Sequence, residues 1–146
     1  IADSRTFRNY RSGKIGAEYL QQDERTAAAE AKLKAEQPGD FLVLPSQAGM
    51  RHGGRSTRRA WECCDEQEVL LGSVAEGCRI LSHPERFVRW EQLHVDCAGD
   101  KYAPGAAGDF VRAPGFYFYD DEVEFGTDRV DDAHAYYGSA SVFCSR

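Results

Sequence analysis

The sequence lacks any run of about 20 consecutive apolar residues, the length that a bilayer-spanning helix needs. Its first five residues also lack the basic and then apolar layout of a signal peptide. These two absences predict a cytoplasmic protein that does not insert into a membrane. Because Ile1 is not an initiator methionine, the sequence leaves open whether an upstream segment has been removed.

The chain lacks the cysteine pattern of a disulfide scaffold, because its five cysteines are an odd number and do not have the dense spacing of such a framework. They are Cys63, Cys64, Cys78, Cys97 and Cys144. Closely spaced Cys and His pairs for zinc are missing, as are the alternating oxygen ligands of a calcium loop. We therefore expect free thiols, no metal site and no cofactor.

What the chain does contain is ordinary globular composition, with 146 residues, 42% hydrophobic and 29% charged. This length predicts a single domain over residues 1–146, with residues 1–13 as a loosely docked arm. The net charge of −6 is unevenly distributed. Residues 1–60 carry 11 basic and 7 acidic side chains, whereas residues 61–146 carry 7 and 17, so the two halves have opposite charge.

Three helices are expected in the first two thirds of the chain. Strong helix formers dominate residues 14–36. A second helix is expected over residues 56–81, where Ser56 is a natural N-cap and apolar residues recur at helical spacing. A short third helix is expected over residues 82–92, from the spacing of a capping box at its start, and it should bury Phe87 and Trp90.

Strand patterns are concentrated in the last third, although residues 40–45 also read as a buried extended segment. Residues 93–97 and 136–143 are further strand candidates, and residues 116–125 predict a β-hairpin. The hairpin residues expected on one inward face are Phe116, Phe118, Val123 and Phe125. The sequence therefore predicts an α+β fold, with N-terminal and central helices packed on a small antiparallel sheet from the C-terminal third.

The first candidate site is the junction between a glycine-rich loop and the second helix. It consists of Arg51, His52, Gly53, Gly54, Arg55, Ser56, Arg58 and Arg59. Glycines let a ligand approach the backbone, guanidinium groups hold phosphate or carboxylate, and free N–H groups at a helix start favour an anion. The alternative is that these arginines pair with carboxylates of the acidic half. Nucleic acid is disfavoured as the partner by the net negative charge and by the lack of a recognisable binding module.

The second candidate site follows the strand at residues 93–97. His94, Asp96, Cys97 and Asp100 place an imidazole, two carboxylates and a thiol at the edge of a glycine-rich loop, where catalytic groups commonly lie. Cys97 with His94 is one arrangement of nucleophile and base. The structural alternative is that Asp96 and Asp100 cap turns and that Cys97 packs in the core.

A third candidate is the hairpin face opposite the phenylalanines, which presents Tyr117 and Tyr119. Aromatic residues dominate interface energetics, so this face would serve a ligand pocket, a partner protein or a homodimer. Three hypotheses follow for the function. The first is a binding protein that holds a small anionic molecule at residues 51–59. The others are an enzyme that uses His94, Asp96 and Asp100 with the arginines as a substrate clamp, and an interaction module or homodimer without catalysis.

Four segments resemble parts of uncharacterised bacterial proteins of the kind carried on mobile (integron) gene cassettes. They are residues 51–59, 81–87, 96–102 and 137–141. The resemblance would span roughly residues 40–143. It implies a bacterial cytosolic protein and supplies no activity, cofactor or catalytic residue.

Overall fold

A computed structural model describes residues 1, 5–105 and 108–144. Within these residues the helices are α1 Glu24–Glu36, α2 Thr57–Cys63 and α3 Ser73–Ser82, with a 3₁₀ turn at Met50–His52. The strands are β1 Phe7–Asn9, β2 Leu20–Gln22, β3 Ser46–Gln47, β4 Glu68–Leu70, β5 His94–Asp96, β6 Asp100–Tyr102, β7 Arg112–Tyr119, β8 Glu122–Arg129, β9 Tyr137–Ser139 and β10 Ser141–Phe143. The α+β class is thus confirmed.

Two sheets organise these strands. The larger has the order β1-β8-β7-β5-β9, with β6 also paired to β7 and β2 paired to β6. It is mixed, because β1 runs parallel to β8 and β5 runs parallel to β9. The smaller sheet is antiparallel, in the order β3-β10-β4. The prediction that the sheet comes only from the C-terminal third is therefore wrong, since β1 to β4 come from the first 70 residues.

The N-terminal segment is tied into the larger sheet rather than loosely docked. Strand β1 pairs with β8 in the register Phe7 to Val123. The Arg5 guanidinium donates to the carbonyl oxygens of Arg86 and Phe87 at 2.8 and 2.6 Å. Backbone pairing and these Arg5 hydrogen bonds correct the expectation of a loosely docked arm for the described part of residues 1–13.

The helices are shorter than their composition predicts, because strand pairing takes over some of their residues. Residues 20–22 pair with β6, so α1 begins only after Asp23, whose carboxylate accepts from the Arg25 N–H. The single helix expected over residues 56–81 is two helices with β4 between them, because Cys64 turns to an extended conformation. The prediction of a further helix over residues 82–92 is wrong. Residues 83–92 form turns and bends, in which Phe87 has a φ of 53°.

The core lies on one side of the β7–β8 hairpin, as the alternating phenylalanines predict. Its members include Ile80 from α3 and the four hairpin residues Phe116, Phe118, Val123 and Phe125.

The prediction of a buried strand at residues 40–45 is wrong, because the Phe41 and Val43 side chains are 86% and 81% exposed. Trp90, expected inside, is 41% exposed, whereas Phe87 is fully buried as predicted.

The five cysteines are free thiols, and only Cys97 is fully buried. Within the described residues, no helix combines the length and apolarity required to cross a bilayer. The same part of the chain contains no group of three or more His, Cys, Asp or Glu side chains arranged to hold a metal ion.

Candidate functional site

The arginine junction is built around a buried carboxylate that the sequence does not single out. Glu68 of β4 is fully buried, and its two oxygens lie 2.9 Å from Arg51 Nε and 3.0 Å from His52 Nε2. The Ser141 hydroxyl donates to the same carboxylate at 2.5 Å. Burial opposes ionisation of Glu68 most strongly, but the hydrogen bonds from Ser141, His52 and Arg51 hold its pKa below the ordinary value.

The other arginines of the junction are also largely engaged with carboxylates. Arg51 makes a second ion pair with Asp65 at 3.0 Å, and Arg59 pairs with Glu62 at 2.7 Å. Arg58 pairs with Asp131. Only the Arg55 side chain among them has no hydrogen-bond or ion-pair partner within the described residues. Most of the positive charge that would attract an anion is thus matched by internal negative charge.

Ser56 caps α2 as predicted, because its hydroxyl accepts from the Arg59 N–H at 3.2 Å. The helix that follows has only seven residues. The two loop glycines have structural roles: the Gly54 N–H donates to the Tyr137 carbonyl oxygen at 2.8 Å, and Gly54 has a φ of 72°. The backbone N–H of Gly53 donates to the Met50 carbonyl oxygen at 3.3 Å. These contacts anchor the loop to β9.

Two residues of the second candidate site are committed to the fold. The Asp100 carboxylate accepts from both the backbone N–H and the hydroxyl of Ser73, at the first residue of α3. Cys97 is fully buried in the core, where burial and neighbouring carboxylates raise the pKa of its thiol well above the ordinary value. Neither residue has the accessibility of a catalytic group, and the raised pKa of the Cys97 thiol disfavours a nucleophilic thiolate.

His94 and Asp96 lie two residues apart on β5, and so their side chains share one face of the larger sheet. His94 is fully buried and neither ring nitrogen has a well-formed hydrogen bond. Burial lowers the pKa of His94, an effect that the nearby Trp90 carbonyl only partly offsets. Burial, together with Asp128, raises the pKa of Asp96 to about 7, against an opposing effect of His134.

A continuous group of rings surrounds His94, and we call it the aromatic cluster. Its members are Trp90, His94, Tyr117, Tyr119, His134, Tyr136 and Tyr137. The His94 ring centroid lies 4.9 Å from that of Tyr119 and 5.0 Å from that of Tyr137. The hydroxyl oxygens of these two tyrosines are 3.2 Å apart. Trp90 and Tyr136 pack against each other at the outer side, with a centroid distance of 4.7 Å and an interplanar angle of 56°.

Strand register explains why these rings meet. His94 is paired with Tyr137 across β5 and β9, and the antiparallel β5–β7 pairing places Tyr117 on the same face. Tyr119 follows two residues later, opposite the side that bears the core phenylalanines. The Tyr117 ring lies over Gly115 and Gly126, which face each other across the hairpin: a Cβ on either would approach the ring to about 3 Å. The predicted tyrosine face of the hairpin is therefore present.

The two predicted segments border the same strand but do not form one site. Gly49 and Gly138 cross so closely that a Cβ on Gly138 would lie 2.2 Å from the Gly49 carbonyl oxygen, which brings the arginine loop against β9. Strand β5 pairs with β9 in the register Val95 to Gly138, so Gly49 meets the face of β9 opposite to the one that carries His94 and Tyr137. A cavity of about 110 Å³ between α1, α2 and β4 is lined by residues that include Arg25, Trp61 and Ala98. Its lining contains no arginine of residues 51–59 and neither His94 nor Asp96.

The site residues predicted from the sequence do not include Glu68 and Ser141 of the buried network. They also omit four members of the aromatic cluster, namely Trp90, His134, Tyr136 and Tyr137. The buried network could have been recognised from Glu68, because this acid begins the apolar series Glu68-Val69-Leu70-Leu71 and a buried acid requires partners. The adjacent Tyr136 and Tyr137 were the signal for the aromatic cluster. Trp90 gave no signal, because its assignment to a helix placed it inside.

No family model matches the chain, and neither a curated protein nor a solved structure does so. The resemblance to proteins of mobile gene cassettes therefore stays a prediction. Function has to be argued from the side chains themselves.

Proposed function

We propose that this chain is a protein-binding module that contacts its partner through the aromatic cluster. The observation that supports this most directly is the outer pair of the cluster: the Trp90 and Tyr136 rings are in contact while remaining 41% and 54% exposed. Large aromatic side chains in a contiguous exposed patch are typical of contact surfaces, where Trp and Tyr are enriched among the residues that dominate binding energy.

The cluster is also held in place before any partner arrives. The fully buried His94 ring packs edge-on against Tyr119 and Tyr137, and the hydroxyls of these two tyrosines are hydrogen-bonded. Rings fixed by their neighbours lose little conformational freedom on binding, so more of the contact energy is retained as affinity. Pre-organisation of this kind favours a binding role.

The other two hypotheses have less support. Catalysis at His94 and Asp96 requires substrate access, and both residues are buried beneath the rings. Anion binding at residues 51–59 requires unmatched positive charge, and Arg51, Arg58 and Arg59 are in ion pairs. By contrast, Trp90 and Tyr136 of the aromatic cluster are exposed.

A random peptide library displayed on phage tests the proposal whatever the identity of the partner. Selected peptides should slow hydrogen exchange in residues 90–94 and 134–137 of the folded chain. They should bind at least about tenfold more weakly to a Trp90→Ala, Tyr136→Ala double variant, because these rings supply the contact area.

A Phe41→Ala, Val43→Ala double variant is the matched control, since it also truncates two exposed apolar side chains but lies outside the cluster. It should retain affinity. Selection of no peptide that protects the cluster, or equal weakening by both double variants, would overturn the proposal.

A further inference from the structure

We infer that the occupant of the aromatic cluster is a lysine- and arginine-rich segment of a partner protein. This inference rests on the proposed function and names the chemistry of the partner. It follows from two observations: the cluster has exposed rings and hydroxyl acceptors, and the acidic side chains of the neighbouring segments include Asp120 and Asp132, which have no ion-pair partner within the described residues.

The charge around the cluster is strongly negative. Residues 112–139, which carry most of the cluster, contain seven acidic and two basic side chains. Glu122 and Asp131 are paired with Arg8 and Arg58, and Arg89 adds one positive charge beside Trp90, so the balance stays negative. Asp120 directly follows Tyr119, and Asp132 lies two residues before His134; both are exposed and make no ion pair within the described chain. Asp128, which contacts His134 at 2.9 Å, adds a carboxylate next to the rings. A cation approaching the cluster therefore meets unsatisfied negative charge.

The polar groups of the cluster match the donors of lysine and arginine. Only one of the Tyr119 and Tyr137 hydroxyls donates to the other, so both oxygens keep lone pairs for an incoming N–H. Burial and the hydrogen bond with Tyr119 raise the pKa of Tyr137, so this phenol stays neutral at physiological pH. The exposed rings of Trp90 and Tyr136 offer faces that attract ammonium and guanidinium groups.

The same charges argue against other occupants. A second copy of the chain, related by a two-fold axis, would bring the acidic surroundings of the cluster against themselves. Three of the basic residues that could complement them, Arg51, Arg58 and Arg59, are already paired internally. Nucleic acid and anionic membranes would be repelled. A basic protein segment is the occupant that these observations favour.

Direct titration with synthetic peptides tests the charge preference. Four peptides would share one Ala/Ser background and differ in bearing lysines, arginines, glutamates or glutamines at the same positions. A Trp61→Phe background leaves Trp90 as the sole tryptophan reporter. The lysine and arginine peptides should change Trp90 fluorescence and bind at least about tenfold tighter than the glutamine peptide at low ionic strength, with weakening as salt is added.

Matched charge variants connect this preference to the cluster. Asp120→Asn with Asp132→Asn should weaken binding of the lysine peptide several-fold. Asp40→Asn with Asp109→Asn removes the same charge from exposed positions outside the cluster and should have little effect. Both pairs remove only solvent-exposed carboxylates, so unfolding does not confound the comparison.

The remaining outcomes separate this inference from the proposed function. Equal binding of the glutamine and lysine peptides at the cluster would overturn the charge inference and leave the binding module intact. Spermidine that binds as tightly as the peptides would overturn the assignment to a protein segment. Failure of all four peptides to bind, while neutral library peptides still protect residues 90–94, would also overturn the inference alone.

Discussion

Asp100 caps helix α3 from a different element of the chain. Its Oδ2 accepts the backbone N–H of Ser73 at 2.6 Å and the Ser73 hydroxyl at 2.5 Å. The N-cap residue itself is Gly72, which has no side chain, and a Cβ there would lie 2.6 Å from the Asp100 carboxylate. The glycine thus makes room for a carboxylate that performs the capping role, and the negative charge also suits the positive end of the helix.

Asp100→Ala should lower the free energy of unfolding by about 2 kcal/mol, because it removes two charge-assisted hydrogen bonds and leaves buried donors without a partner. Asp100→Asn should cost less, since it retains an acceptor oxygen. Urea denaturation measures both, with the exposed Asp109→Asn as the control. An Asp100→Ala variant as stable as the control would show that the cap contributes little.

Glu68→Gln should be more damaging than the cap variant. The change removes the charge that His52 contacts and leaves Arg51 only its exposed ion pair with Asp65, and loss of one member of a buried pair costs about 3 kcal/mol or more. Chemical denaturation of the variant beside Glu66→Gln, an exposed neighbour, isolates the effect of burial. Equal stability of the two variants would contradict the assigned role of Glu68.

Because of the Glu68 carboxylate, we also expect the folded protein to lose stability in acid. The folded-state pKa of Glu68 is below its ordinary value, so the unfolded chain binds a proton first as the pH falls. The stabilisation is therefore complete above the unfolded-state pKa and is lost as the pH falls through the lowered folded-state pKa. Unfolding free energies measured across this acid range should decline more steeply for wild type than for Glu68→Gln.

The sequence predicts those parts of the fold that local patterning determines. The alternation in residues 116–125 separates Phe116 and Phe118 from Tyr117 and Tyr119, and the structure confirms both faces. The hydroxyl cap of Ser56 is confirmed for the same reason, since it depends on the next three residues. Period-two alternation and capping are local, so they can be read independently of the topology.

Long-range pairing accounts for what the sequence could not predict. Residues 20–22 favour a helix on composition, yet they pair with β6. The candidate sites show the same limit: the aromatic cluster joins Trp90 to Tyr136, far apart in the chain, through a parallel β5–β9 pairing that no local pattern indicates. The opposite charges of the two chain halves anticipate pairs such as Arg58 with Asp131, but not which residues meet.

Asp96→Asn should stabilise the protein in mild alkali. Burial and Asp128 raise the pKa of this carboxyl to about 7, so folding favours its protonated form and the native state loses stability as the pH rises from about 4 towards 7. The amide is neutral throughout. Its gain over wild type should be on the order of 3 kcal/mol at pH 8 and small near pH 4. Denaturation at both pH values checks this, and a gain independent of pH would contradict the assigned protonation.

Phosphate should not stabilise the chain through the arginine junction. Arg51, Arg58 and Arg59 are in ion pairs, so among the arginines of residues 51–59 only Arg55 is available to bind an anion. Helix α2, whose N-terminus would also attract an anion, has only seven residues. In thermal unfolding, phosphate should shift the Tm of wild type and Arg55→Ala equally, because general salt exclusion affects both. Chloride at the same ionic strength is the reference. A phosphate shift of several degrees that disappears in Arg55→Ala would restore anion binding at residues 51–59 as the better hypothesis.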